Sequence, residues 1–231
     1  MGKLMRSIHV CAAVCVFLGS GTAMAVTVPS TEDFDADVAG WEDGNSDPLF
    51  FEASGGPDAG SYASADFNYF GYSSPFGGGP VVFRANQSDA ASGGAFVGDW
   101  LTSGVSLVSA WVRHDAPAEL NFYMRVASSF NFPGAVIANT LLVAPGQWTQ
   151  VFWVVDPGSP FCIGETVTCA AALSNVGNFQ IGTDAPASLV ALDQAFAIDV
   201  DKVSVVPEPG VSTMLGAGLV MLCLTRRSRQ R

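Results

Sequence analysis

Acidic side chains are the chemistry this sequence has in surplus. Of its 21 Asp and Glu residues, 20 lie between Glu32 and Asp201. Only Arg84, Arg113, Arg125 and Lys202 oppose them there, so residues 26–205 carry −16 within a chain of net −11. Nucleic acid is excluded as a partner, because phosphate contacts need a basic surface. Nucleophilic catalysis lacks its base. Histidine occurs only at His9 and His114. His114 stands beside Asp115 at a strand end, and neighbours on a strand point to opposite faces, so the two make no oriented pair and His114 reads as a loop residue. No Gly-x-Ser-x-Gly elbow, Gly-x-Gly-x-x-Gly loop or P-loop lysine is present. A glycosidase needs two carboxylates about 5–9.5 Å apart, and the sequence singles out no pair. The expected molecule is not an enzyme.

The ends have a different composition from the middle. Lys3 and Arg6 precede an apolar run from Ile8 to Leu18, and Ala23-Met24-Ala25 follows. That order predicts a signal peptide over 1–25, cut after Ala25, with Ala23 and Ala25 as the small residues of the site. At the other end Val206-Pro207-Glu208-Pro209 leads into the uncharged stretch 210–225, and Arg226, Arg227, Arg229 and Arg231 close the chain. As a helix at ~1.5 Å per residue the stretch reaches about 25 Å, close to a bilayer core. A transmembrane helix is therefore expected, with the arginine tail cytoplasmic and the middle of the chain outside.

These last 26 residues resemble the PEP-CTERM sorting signal of Gram-negative bacteria: a Pro-Glu-Pro motif, a short apolar helix and an Arg-rich terminus in fixed order. The resemblance implies recognition of Pro207, Glu208 and Pro209 by an exosortase, a membrane-embedded cysteine transpeptidase-like enzyme. It also implies use of the export machinery, a transient inner-membrane anchor, and a final place on the cell surface or in an exopolysaccharide matrix.

Residues 26–205 read as one all-β domain. Turn formers such as Gly55-Gly56-Pro57, Gly77-Gly78-Gly79-Pro80, Pro133-Gly134 and Pro145-Gly146 separate short apolar runs. Glu119 to Val126 alternates with period two, the pattern of a half-buried antiparallel strand. Further strands are expected over 81–85, 105–113, 135–143, 147–155, 178–181 and 195–205. In the last of these the apolar parity changes between Val200 and Val203, so either a bulge sits near Asp201-Lys202 or the strand stops at Val200. About eight short strands predict an antiparallel β-sandwich. Cys11 and Cys15 leave with the signal peptide and Cys223 lies in the apolar run. Cys162 and Cys169 remain, and an exported compartment favours a disulfide between them.

Asp33-Phe34-Asp35 with Gly40-Trp41, then Gly146-Gln147-Trp148, then Ile198-Asp199-Val200 resemble the jelly-roll sandwiches of galactose-binding-like and carbohydrate-binding-module families. In those folds the first and last strands lie close and often hold a structural calcium. The resemblance implies such a site from Asp35 and Asp199, with Asp37; the alternative is a solvated acidic edge. Phe67, Tyr69, Phe70, Tyr72 and Phe76 cluster in a Gly/Ser/Asn-rich stretch. They form either a flap on the core, as apolar rings usually do, or a glycan platform presenting Tyr69 and Tyr72. Trp100, Trp111, Trp148 and Trp153 are expected in the core. The expected function is a structural or adhesive surface protein linked to exopolysaccharide. A carbohydrate-binding module with a defined sugar site and a secreted glycan hydrolase are the alternatives.

Overall fold

In a computed structural model the chain is described over residues 26–73 and 79–208. Two antiparallel sheets pack on one core. The first sheet runs in the order β2 (Phe50–Glu52), β3 (Tyr62–Asn68), β12 (Ala195–Pro207), β5 (Val105–His114) and β9 (Thr149–Val154), with β1 (Ser30–Glu32) on the far end of β12. The second runs β10 (Cys162–Gly164), β7 (Gly134–Ile137), β6 (Leu120–Ala127), β11 (Asn178–Thr183) and β4 (Val81–Asn86), with β8 (Leu142–Val143) on β6. The β-sandwich expected from the turn spacing is thus the observed architecture.

Alternation sets the layers. On β6, Leu120, Phe122, Met124 and Val126 are fully buried while Asn121, Tyr123 and Arg125 between them are half-buried on the opposite face. On β5, Val108, Ala110 and Val112 face inward and Trp111 and Arg113 outward. Phe34 and Trp41 anchor the opening segment: both are fully buried, and Trp41 meets Phe34, Phe96 and Phe179 edge-on at 5.5–5.8 Å between ring centroids. Such contacts add about 0.5–1.5 kcal/mol each beyond burial.

The parity change in the last strand is a bulge. The register of β12 against β5 slips between Asp201 and Ser204, and Lys202 takes a positive φ of 47°. The extra residue lets Ile198 and Val200 on one side of the slip and Val203 and Val205 on the other all reach the core. The strand also runs past Val205: Pro207 pairs with Val105, and the Glu208 amide donates to the Gly104 carbonyl at 2.9 Å.

Cys162 and Cys169 are joined by a disulfide with Cα atoms 6.1 Å apart. It ties β10 to the short helix α1 (Cys169–Leu173), whose first turn is capped by Thr168 Oγ1 accepting from the Ala171 amide. A ring this small contributes about 2–3 kcal/mol on the chain-entropy model.

Candidate functional site

The solvent-facing side of the first sheet holds a groove of about 640 Å³. Its floor is a row of residues paired across neighbouring strands. Phe50 stands opposite Ser64, Ser64 opposite Asp199, and Asp199 opposite Arg113. Register places them side by side because each sits on the outward parity of its strand.

The row is hydrogen-bonded along its length. Arg113 Nε donates to Asp199 Oδ2 at 2.7 Å, and Ser64 Oγ donates to Asp199 Oδ1 at 2.7 Å. Asp199 is 5% exposed, so these two donors are what keeps its charge tolerable there. The Arg113 guanidinium lies over two rings, 5.0 Å from the Tyr62 centroid and 4.7 Å from that of Trp148. Those rings meet edge to face at 5.4 Å.

One wall is the β2–β3 loop. The Gly55 carbonyl accepts from Trp148 Nε1 at 2.8 Å and from Arg113 Nη1 at 3.2 Å. Gly55 has φ +101°, which a side chain would strain. Lys202 Nζ bonds Asp58 Oδ2 at 2.6 Å and pins the loop from beyond Gly56. Beneath this loop Asp201 is buried, and burial pushes its carboxyl up to about 6. Burial also raises the Tyr62 phenol.

Three carboxylates line the groove in addition to Asp199. Glu52 pairs with Tyr62 at one end. Asp66 and Asp115 flank the small Ala197 at the other: Asp66 pairs with Ala197, and Asp115 Oδ1 accepts the Ala197 amide at 2.9 Å. Tyr62 and Asp66 are four residues apart on β3, about 13 Å at ~3.3 Å per residue. Phe50 is 56% exposed and offers an open ring between the two ends.

Several sequence expectations change in this light. Tyr69 cannot be a platform. It is fully buried, its hydroxyl is bonded to Thr183 Oγ1 at 2.7 Å, and its ring packs on Phe67 and Phe196. Tyr72 is half-buried with its ring 6.3 Å from that of Phe67. Phe67 itself is on β3, a strand absent from the sequence-based expectation. Phe76 lies outside the described residues. Trp100 and Trp153 are core, but Trp111 and Trp148 are half-buried on the outward parity. His114 is not a loop residue. It ends β5 at 1% exposure with Nε2 bonded to the Val143 carbonyl at 2.9 Å, while Asp115 points out.

Asp35, Asp37 and Asp199 are not gathered together. Asp199 is held by Arg113 and Ser64, Asp37 accepts the Ala39 amide at 2.7 Å, and Asp35 is exposed. Among the described residues no three His, Cys, Asp or Glu side chains converge as a metal site. Pro207 and Glu208 are placed at the end of β12. Ala23, Ala25, Pro209, the stretch 210–225 and Arg226, Arg227, Arg229 and Arg231 lie outside the described residues. Among those described, no helix is long and apolar enough to cross a membrane.

The groove residues that sequence reasoning missed are Phe50, Glu52, Tyr62, Asp66, Arg113 and Trp148. One signal was available. Trp111 and Arg113 share a parity opposite to Val108, Ala110 and Val112, which already puts an aromatic and a cation on the wet face.

No family model matches the sequence, and no curated protein matches it. Solved structures do. The N-terminal modules of endo-1,4-beta-D-xylanase 10B from Clostridium thermocellum, complexed with xylohexaose, are 16% identical at a TM-score of 0.45. That match covers 78% of this chain and only 28% of the xylanase chain. The C-terminal family 22 carbohydrate-binding module of the same enzyme is 8% identical over 79% of this chain and 95% of its own, at a TM-score of 0.45. A xylan-binding domain from Paenibacillus barcinonensis is 10% identical over 80% and 97%, at 0.44. What the groove of the present chain can hold follows from its own side chains.

Proposed function

We propose that this chain is an exported, non-catalytic glycan-binding sandwich that holds a polysaccharide in the groove across β2, β3, β12 and β5. One observation carries the reading: an open ring, Phe50, lies between carboxylates at both ends of a rigid sheet-built trough. A sugar ring has an apolar face and a rim of hydroxyl donors. An exposed aromatic takes the first and carboxylates accept from the second. The long open trough suits a chain rather than a small enclosed ligand.

The destination is read from the sequence. Signal cleavage after Ala25 and sorting through Pro207-Glu208-Pro209 by an exosortase would display the domain at the surface or in an exopolysaccharide matrix.

Affinity electrophoresis against a panel of soluble polysaccharides tests the reading. At least one polymer should retard the wild type, and Phe50→Ala with Tyr62→Ala should abolish the retardation while leaving the melting temperature near wild type. Retardation by none of the polymers refutes it. Release of reducing ends from a retarding polymer would replace it with the hydrolase alternative.

A further inference from the structure

The balance of charge in the groove points to a narrower ligand class, and this step rests on the glycan-binding reading above. Among the described residues Arg113 is the only Lys or Arg lining the trough, and it is already committed to Asp199, to the Gly55 carbonyl and to the faces of Tyr62 and Trp148; His114 also lines it, but is 1% exposed with Nε2 on the Val143 carbonyl. The other described bases are engaged elsewhere: Arg125 with Glu165, Lys202 with Asp58, and Arg84 with Ser46 and the Gly44 carbonyl. Asp199 consumes the Ser64 hydroxyl as well.

Against this stand Glu52, Asp66 and Asp115, all exposed. Among the described residues Glu52 and Asp66 accept no hydrogen bond, and Asp115 accepts one, from the Ala197 amide. The trough therefore offers three exposed carboxylates and many acceptor lone pairs within about 13 Å of strand, against a single guanidinium already bonded to Asp199 and the Gly55 carbonyl. A uronic-acid polymer would bring more acceptors and more negative charge to that surface. A neutral sugar would satisfy the acceptors with hydroxyls alone. An amine on the sugar supplies three donors and the missing positive charge at once.

We infer that the groove prefers an amino-sugar polymer bearing free amines, a deacetylated glucosamine-type chain, over its acetylated or uronic-acid counterparts. The two ends of the trough divide the task. Glu52 takes one ammonium and the Asp66–Asp115 pair takes another further along the chain, while Phe50 stacks on the ring between them.

Isothermal titration at pH about 5.5 gives the test. The probes are glucosamine and N-acetylglucosamine oligomers of equal length, with oligogalacturonate as the anionic control. At 20 mM salt the amine oligomer should bind on the order of tenfold more tightly than the acetylated one, as two or three partly exposed ion pairs allow. Oligogalacturonate should bind more weakly than either. The advantage should shrink at 300 mM salt. It should vanish in Glu52→Gln/Asp66→Asn/Asp115→Asn and persist in Asp33→Asn/Asp35→Asn/Glu119→Gln, which removes as much charge away from the groove.

Binding of the acetylated oligomer without any amine preference overturns this inference and leaves the glycan reading standing. An amine preference that survives the groove variant, or that the remote variant abolishes, overturns it too, because the acidic body as a whole would then be the attractor. Binding of no sugar at all removes both readings.

Discussion

Arg113 shows how much one side chain can organise. Its guanidinium neutralises a buried carboxylate, lies over two aromatic rings and reaches the carbonyl of a loop two strands away. Replacing it with Met keeps the stem and removes the charge, which strands Asp199 at 5% exposure with Ser64 alone. Arg113→Met should lower stability by about 1–3 kcal/mol in denaturant melts, and Arg113→Met/Asp199→Leu should recover part of that loss. Asp201 gives a different signature. Its folded carboxyl titrates at about 6, above the ordinary carboxylate range, because burial disfavours the charged form. The folded state therefore holds this proton more tightly than the unfolded chain does. The associated stability is complete below pH ~4 and is lost as pH rises from ~4 to ~6, by up to about 3 kcal/mol. Asp201→Asn keeps an acceptor for the Lys202 amide, which bonds Asp201 Oδ1 at 2.7 Å. Thermal melts between pH 4 and 7 should show the variant more stable than wild type at pH 7 and flatter across that window. A wild-type curve that rises from pH 4 to 6 by as much as it is expected to fall would contradict the burial of Asp201.

At the scale of elements, the groove depends on a loop that the sheet alone would not fix. Gly55 sits at φ +101° and offers its carbonyl to Trp148 and Arg113 together. Gly55→Ala should cost about 1–2 kcal/mol, because a Cβ resists that backbone conformation. The wall should loosen with it, seen as faster quenching of Trp148 fluorescence in a protein whose other tryptophans are replaced by Phe where stability allows. Most strands were legible. β4, β5, β6, β9, β11 and β12 lie where apolar runs between turn formers place them, since alternation is a local property of the chain. β2 and β3 were not legible. Ala63 and Ala65 are small, Ser64 and Asp66 are polar, and the run carries none of the Val-rich signal that marks its partners. It is a strand because β12 supplies a ladder on one side and β2 on the other. The end of β12 bears on the proposed sorting. Val206 and Pro207 belong to the strand and Glu208 is bonded to Gly104, so an enzyme reading Pro207-Glu208-Pro209 in extended form has to open that corner first. The register of β12 against β5 slips again just before Pro207. Hydrogen exchange at Glu208 should be faster than at Val203 by orders of magnitude.

For the whole molecule, the acidic excess is the dominant long-range term. With −16 over residues 26–205, self-repulsion opposes the compact state and is screened within about 8 Å at physiological salt. The melting temperature of the domain should rise between 10 and 150 mM sodium chloride; a fall would mean that local ion pairs such as Arg125–Glu165 outweigh the global repulsion. The sequence by itself determined the class of architecture, the excess of acid, the disulfide partners and the two unlike ends, because composition and period-two alternation are carried by neighbouring residues. It also located the bulge in β12 as one of two explanations for a parity change. Only the tertiary structure decided which faces meet. It buried Tyr69 and Asp201, turned Trp111 and Trp148 outward, separated Asp35 and Asp37 from Asp199, and assembled Phe50, Ser64, Asp199 and Arg113 into one row. Those four residues come from four strands spread over more than 140 positions. Their adjacency is fixed by strand order and register, which depend on which long-range pairings best bury the two inner faces, and no local window of the chain contains that information.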